Sequence, residues 1–187
     1  MPKISKNDVI DVGYALFALE GPEHIEERVE QEMGLKHAEF LSRFGTEEIF
    51  IEALIAHHIE LVDDFLEETE HCTSWDPALL NLIVDYKLTV LFNRQLKQHS
   101  GNPVFHLTYN RISYLVQSHA FELWRKYMNL HPHMELSREL YEVLRDVFHS
   151  RITRENLNYE YLKSLAGEFR TIIEKLIHLQ QTVLQGN

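Results

Sequence analysis

Twelve histidines and 29 acidic residues in a chain of 187 make metal binding the first chemistry to weigh. A carboxylate-bridged di-iron bundle needs two Glu-x-x-His pairs and two further Glu on facing helices. One pair is present, Glu68 with His71, so half of that ligand set is missing. His57-His58 and Asp64 place an imidazole and a carboxylate two helical turns apart on one face. Nothing else completes their coordination set, and histidines at a surface or core edge account for them. Nucleophilic chemistry is no better supplied. Cys72 is the one cysteine, which excludes an intramolecular disulfide and a multi-cysteine zinc site. The run Glu67-Glu68-Thr69-Glu70 beside it raises a thiol pKa rather than lowering it. There is no Gly-x-Ser-x-Gly elbow, Walker loop or dinucleotide fingerprint. The expectation is a protein that is not an enzyme and uses no metal or cofactor.

What remains is a set of amphipathic aromatic and polar residues in the middle of the chain. Asp85, Tyr86, Asn93, Arg94, Tyr109, Asn110, Arg111, Tyr114, His119, Trp124 and Tyr127 interleave with apolar positions. A helical bundle that binds a small molecule does so between its helices, with an apolar wall and a few polar anchors. A packed core whose Tyr and Trp tips are satisfied is the plainer reading of the same residues.

The elements that position them are helical. Ser5 and Asp8 form a capping-box pattern, and apolar residues from Val9 to Leu19 predict a first helix ending at Gly21. Pro22 opens a second, with Ile25, Val29, Met33, Phe40, Leu41 and Phe44 on one broad stripe closed by Gly45. A third runs from Thr46 to about Glu70, and Cys72–Trp75 is a loop. Asp76-Pro77 starts a fourth. The run Ser100-Gly101-Asn102-Pro103 then reads as helix, reversal, helix, with Gly101 expected in the left-handed conformation and Asn102 as the next cap. The fifth helix extends from Pro103 to about Asn129, and His131-Pro132-His133 breaks it. A sixth covers roughly 135–150 and a seventh runs from after Thr153 toward Leu184. The prediction is one all-α domain over residues 1–187, an antiparallel bundle of about seven helices.

Composition narrows the function. A 44% hydrophobic content with 25% charged residues suits an ordinary folded domain rather than a disordered one. Residues 1–76 hold 19 Asp/Glu against 5 Lys/Arg, a net of −14, while residues 77–187 hold 10 against 13, a net of +3. Acidity on that scale repels phosphate backbones, so direct nucleic-acid binding by this chain is not expected. It reads as a solvated helical surface. No apolar run reaches a membrane span, and Met-Pro-Lys-Ile-Ser-Lys has no signal-peptide core, which predicts a cytoplasmic protein without membrane partners.

Over Asp85 to Tyr114 the chain resembles the ligand-sensing domain of GntR-superfamily regulators, specifically the FadR-type branch of the FCD class. The carrying residues are Asp85, the Ser100-Gly101-Asn102-Pro103 junction and Asn110 seven residues after the proline. Weaker similarity extends to Gly13–Gly21 and to Tyr159, Glu160 and Glu168. The resemblance implies an all-helical sensor bundle of a transcription regulator, usually a homodimer, whose ligand in the FadR branch is a long-chain acyl-CoA. Residues 1–21 are too short for the winged-helix module of that family, so DNA binding is expected from a partner or from a missing segment. Thr89 stands where metal-holding members carry a His after the Asp, with Glu142 and Gly167 at the later positions, which implies no metal. Leu165, Ala166, Phe169, Ile173 and His178 stand where the acyl-CoA branch holds the nucleotide with a Tyr-Gly pair, then Ser, Trp and Lys, so the resemblance supports the acyl part of the ligand and not the nucleotide part. The expected partner is therefore a fatty acyl or other small carboxylate ligand. Its polar lining is expected to be Asp85, Asn93, Arg94, Tyr109, Asn110, Arg111, Tyr114 and His119, with Arg94 or Arg111 as the anchoring fork. The alternative is a helical protein–protein interaction module with no small-molecule ligand.

Overall fold

The computed structural model describes residues 4–130 and 137–185. Among these there are nine helices and no strand: α1 Lys6–Glu20, α2 Ile25–Met33, α3 His37–Phe44, α4 Glu47–Thr69, α5 Pro77–Asp85, α6 Lys87–Gln98, α7 Pro103–Tyr127, α8 Ser137–Arg151 and α9 Tyr159–Gln185. The all-α class is as expected. The predicted break at His131-Pro132-His133 lies outside the described residues.

The count rises from seven to nine because two predicted helices are each divided. The stretch 22–45 breaks at Gly34, which takes φ 63° and ψ 30°. Its N–H bonds to the Gln31 carbonyl and the Leu35 N–H to the Glu30 carbonyl at 2.9 Å, a Schellman closure. Leu35, the residue just past the turn, is buried, which supplies the apolar contact that accompanies such a stop. The stretch from Pro77 to Gln98 is interrupted at Tyr86 alone, at φ −90° and ψ 28°.

Caps hold where they were read. Ser5 accepts from the Asp8 N–H and Asp8 Oδ2 accepts from the Ser5 N–H. Asp76 caps Ala78 and Leu79, and Asn102 Oδ1 accepts from the Val104 N–H at 2.9 Å. Gly101 is different: it is not among the glycines with positive φ. The reversal is made instead by hydrogen bonds from Ser100 N–H to Lys97 and from Asn102 N–H to His99.

Contacts divide the described chain into two units. The first contains residues up to Glu67 and Tyr86–Leu115; the second contains Glu68–Asp85 and the residues from Val116 onward. In the second unit, Phe121, Trp124 and Tyr141 form an aromatic cluster over Leu144, Leu165, Phe169 and Ile173. Helix α5 packs against α9.

In the first unit α1 packs on α2 and α6. Phe92 stacks on Phe17 at 4.1 Å and on Tyr14 at 4.7 Å. Gly13 is buried in α1, and a Cβ there would overlap the ring of Phe50 and press on Leu54. A second aromatic group, Phe40, Phe44 and Phe50, joins α3 to α4.

A polar pair is sealed into this apolar setting. His58 is fully buried, and its Nδ1 lies 2.9 Å from the Tyr14 hydroxyl, which is 3.3 Å from Thr89 Oγ1. His58 Nε2 is buried with no hydrogen-bond partner among the described residues. Burial, then the neighbouring His57, pushes the His58 pKa down to about 3, and burial holds the Tyr14 phenol above its ordinary value.

Two stability predictions follow from this core. Gly13→Ala forces Phe50 and Leu54 to move and lowers unfolding stability by about 1–3 kcal/mol, measured by chemical denaturation. His58 stays neutral when folded but accepts a proton near pH 6.5 when unfolded. Its contribution is complete above pH 6.5 and is lost as pH falls toward 3, at up to about 1.4 kcal/mol per pH unit. Denaturation of wild type and His58→Gln between pH 4.5 and 7.5 isolates this slope. Equal slopes in the two proteins mean that His58 is not held neutral.

Candidate functional site

The first unit contains a cleft of about 800 Å³, and five of the eleven residues around it are glutamates. Its lining comes from the turn after α1 (Pro22, Glu23, His24), from α2 (Glu26, Glu27, Glu30), from His37, from the start of α4 (Glu47, Ile51) and from the start of α7 (Asn102, Phe105). That is five glutamates and two histidines, with no Lys or Arg among the lining residues. Pro22, Ile51 and Phe105 supply an apolar portion.

Local rules explain part of this charge. Glu26 and Glu27 lie in the first turn of α2 and Glu47 in the first turn of α4, where the exposed N–H groups and helix dipole favour anions. Glu23 is paired with His99 Nε2 at 2.8 Å. Arg28, the one basic residue of α2, is committed to Glu20 at 3.0 Å and to the Gly21 carbonyl. Glu30 is at odds with the dipole, since it sits in the C-terminal half of α2.

Glu30 is held by His37. The Schellman turn brings His37, the first residue of α3, back beside α2, with Nδ1 2.9 Å from Glu30 Oε1 and 2.8 Å from Glu26 Oε1. One Nδ1–H cannot serve both oxygens well. The hydrogen bond goes to Glu30, and Glu26 Oε1 is left buried without a hydrogen bond among the described residues. Burial, then Glu30 and Glu47, holds the Glu26 carboxyl above its ordinary pKa, with His37 opposing them. The Glu30 hydrogen bond, followed by the charges of Glu30 and Glu26, raises that of His37.

The eight expected lining residues are divided between the units, and none lines this cleft. Asp85 ends α5, exposed, and His119 lies on α7; both belong to the second unit. His119 Nε2 donates to the Thr69 carbonyl at 3.0 Å. The other six belong to the first. Asn93 Oδ1 and Arg94 Nε on α6 are buried without hydrogen-bond partners among the described residues. The Tyr109 ring is buried, with Lys97 Nζ 5.8 Å from its centroid. Asn110 pairs with His106 at 3.0 Å, Arg111 is exposed, and Tyr114 is 79% exposed. The junction that the sequence singled out does border the cleft, through Asn102 and Phe105.

The acids and His37 were missed for a geometric reason. On the unbroken helix expected over 22–45, residues 30 and 37 would be about 10.5 Å apart along the axis. Only the stop at Gly34 makes them neighbours. A Gly followed by an apolar residue inside a helical pattern was the available signal.

The partly compensated charge of Glu26 predicts a gain on neutralisation. In metal-free buffer at pH 7, Glu26→Gln raises stability by about 0.5–1 kcal/mol, and the gain shrinks as pH falls and the wild-type carboxyl takes up its proton. A loss of stability in Glu26→Gln under those conditions overturns the assignment of Glu26 as a repelled charge.

Comparison with protein families, characterised proteins and solved structures gives no match to this chain.

Proposed function

We propose that this chain is a non-enzymatic ligand-sensing helical domain that works as, or with, a transcription regulator, and that it takes a small molecule in its first unit. The observation that carries this reading is the 800 Å³ cleft at the Asn102–Phe105 junction, a volume suited to a metabolite-sized ligand. Its lining favours a ligand with a cationic or hydrogen-bond-donating end among the glutamates and an apolar part on Pro22, Ile51 and Phe105. The acyl or carboxylate ligand implied by the FadR-type resemblance needs a cationic anchor instead. Arg94, beside Asn93, provides one, because both carry buried polar atoms without hydrogen-bond partners among the described residues.

A second reading, a protein-interaction module, is favoured by α7. Val104, Leu107, Tyr114 and Leu115 are exposed there, at spacings that place them along one side of a helix.

Thermal unfolding against amines, fatty acids, acyl-CoAs and small carboxylates separates these readings. A ligand of the folded state contributes about 2.7 kcal/mol at a hundred times its Kd, a rise of roughly 5–10 °C for a chain of this size. Shifts with amines that disappear in Glu27→Gln/Glu47→Gln assign the ligand to the cleft. Shifts with acyl or carboxylate compounds that disappear in Arg94→Ala assign it to α6. No shift with any class at millimolar concentration removes the sensor reading and leaves the interaction module.

A further inference from the structure

We infer that Glu26, Glu30 and His37 form a binding site for a divalent transition-metal ion. Two carboxylates and one imidazole each offer a ligand atom, and these atoms lie within 4.8 Å of one another. The Nδ1–Oε1 distances of 2.8 and 2.9 Å are already near the spacing of about 3.4 Å between ligands of a tetrahedral ion with 2.1 Å bonds. Small side-chain adjustments suffice to seat an ion.

Three further observations separate this group from an ordinary acidic surface. Glu26 Oε1 is buried, and the one donor near it, His37 Nδ1 at 2.8 Å, hydrogen-bonds to Glu30, so acceptor capacity is left over. Glu30 stands in the half of α2 where the dipole disfavours it, and its partner is the third ligand. The group opens into the cleft, which leaves an entry path and room for the waters that complete a coordination shell. Two carboxylates and a neutral imidazole balance the charge of one divalent ion. On binding, the ion takes the Nδ1 lone pair and the proton now shared with Glu30 leaves to solvent. The mixed nitrogen and oxygen set suits zinc, manganese or ferrous iron better than calcium or magnesium.

The inference shares the cleft with the ligand-sensing reading but does not rest on it. Its test is calorimetric titration of the chelator-treated full chain with Zn²⁺ or Mn²⁺ alone. One saturable site is expected, weakened at least ~10-fold in Glu30→Gln and in His37→Gln and unchanged in Asp63→Asn/Asp64→Asn. Because a substitution can disturb folding, wild-type protein is also titrated with Mn²⁺ by NMR, where resonances of residues 26–37 broaden first. The absence of a saturable site, an affinity indifferent to the triad substitutions, or broadening that begins elsewhere overturns the inference. Running the organic ligand panel in EDTA keeps the two readings separate, since a ligand shift there survives a failed metal site.

Discussion

The ring of Phe92 lies against Phe17 at 4.1 Å, His58 at 4.3 Å and Tyr14 at 4.7 Å, and this packing joins α1, α4 and α6. Aromatic contacts of this kind contribute beyond the area they bury. They also impose a constraint, because three helices must approach closely enough for the rings to meet. Gly13 satisfies that constraint on the α4 side, where only a residue without a Cβ leaves Phe50 and Leu54 their places. The buried His58–Tyr14–Thr89 chain is tolerable within this packing because the imidazole remains neutral. A charged imidazole there would face a desolvation cost that no partner among the described residues offsets.

The cleft inherits its walls from the same core. Phe105 meets Phe17 edge-on at 5.6 Å and also lines the cleft, so one ring belongs to both. Helix α1 ends at Gly21, whose φ of 96° turns the chain into Pro22 and Glu23 at the cleft rim. Arg28 reaches back to Glu20 and the Gly21 carbonyl, fixing α2 against the end of α1. Apolar packing and one arginine thus set the course of the backbone that carries the glutamates, while His37 and His99 hold the side chains of Glu30 and Glu23.

Sequence patterns conveyed the helices far better than the site. Caps such as Ser5, Asp76 and Asn102 act within three residues, so their chemistry is local and readable. The stop at Gly34 was masked because apolar residues from Ile25 to Phe44 keep a helical stripe across it. The bend at Tyr86 carries no glycine or proline to announce it. The acid excess of residues 1–76 was visible as composition, yet composition does not say which carboxylates converge. Convergence depends on His37 returning to α2, a tertiary consequence of one left-handed residue. The eight polar residues of α5, α6 and α7 share a stretch of sequence, but the division between Leu115 and Val116 and between Asp85 and Tyr86 distributes them over two units.

Glu26 and Glu30 lie one turn apart on α2, and both carboxylates face His37. Like charges on adjacent turns destabilise a helix by a few tenths of a kcal/mol, and burial of Glu26 Oε1 beside a donor shared with Glu30 adds to that cost. His37 relieves one carboxylate and, having a single Nδ1–H, cannot fully relieve the other. A neutral or basic residue at position 30 would suit the end of α2 better and remove the repulsion. The divalent ion inferred above would offset this repulsion more fully than the single proton of His37 does. The same charges then change sign in their effect: what opposes folding in the empty cleft favours the occupied one. An ion held by residues of both α2 and α3 would stabilise the two helices together by mass action.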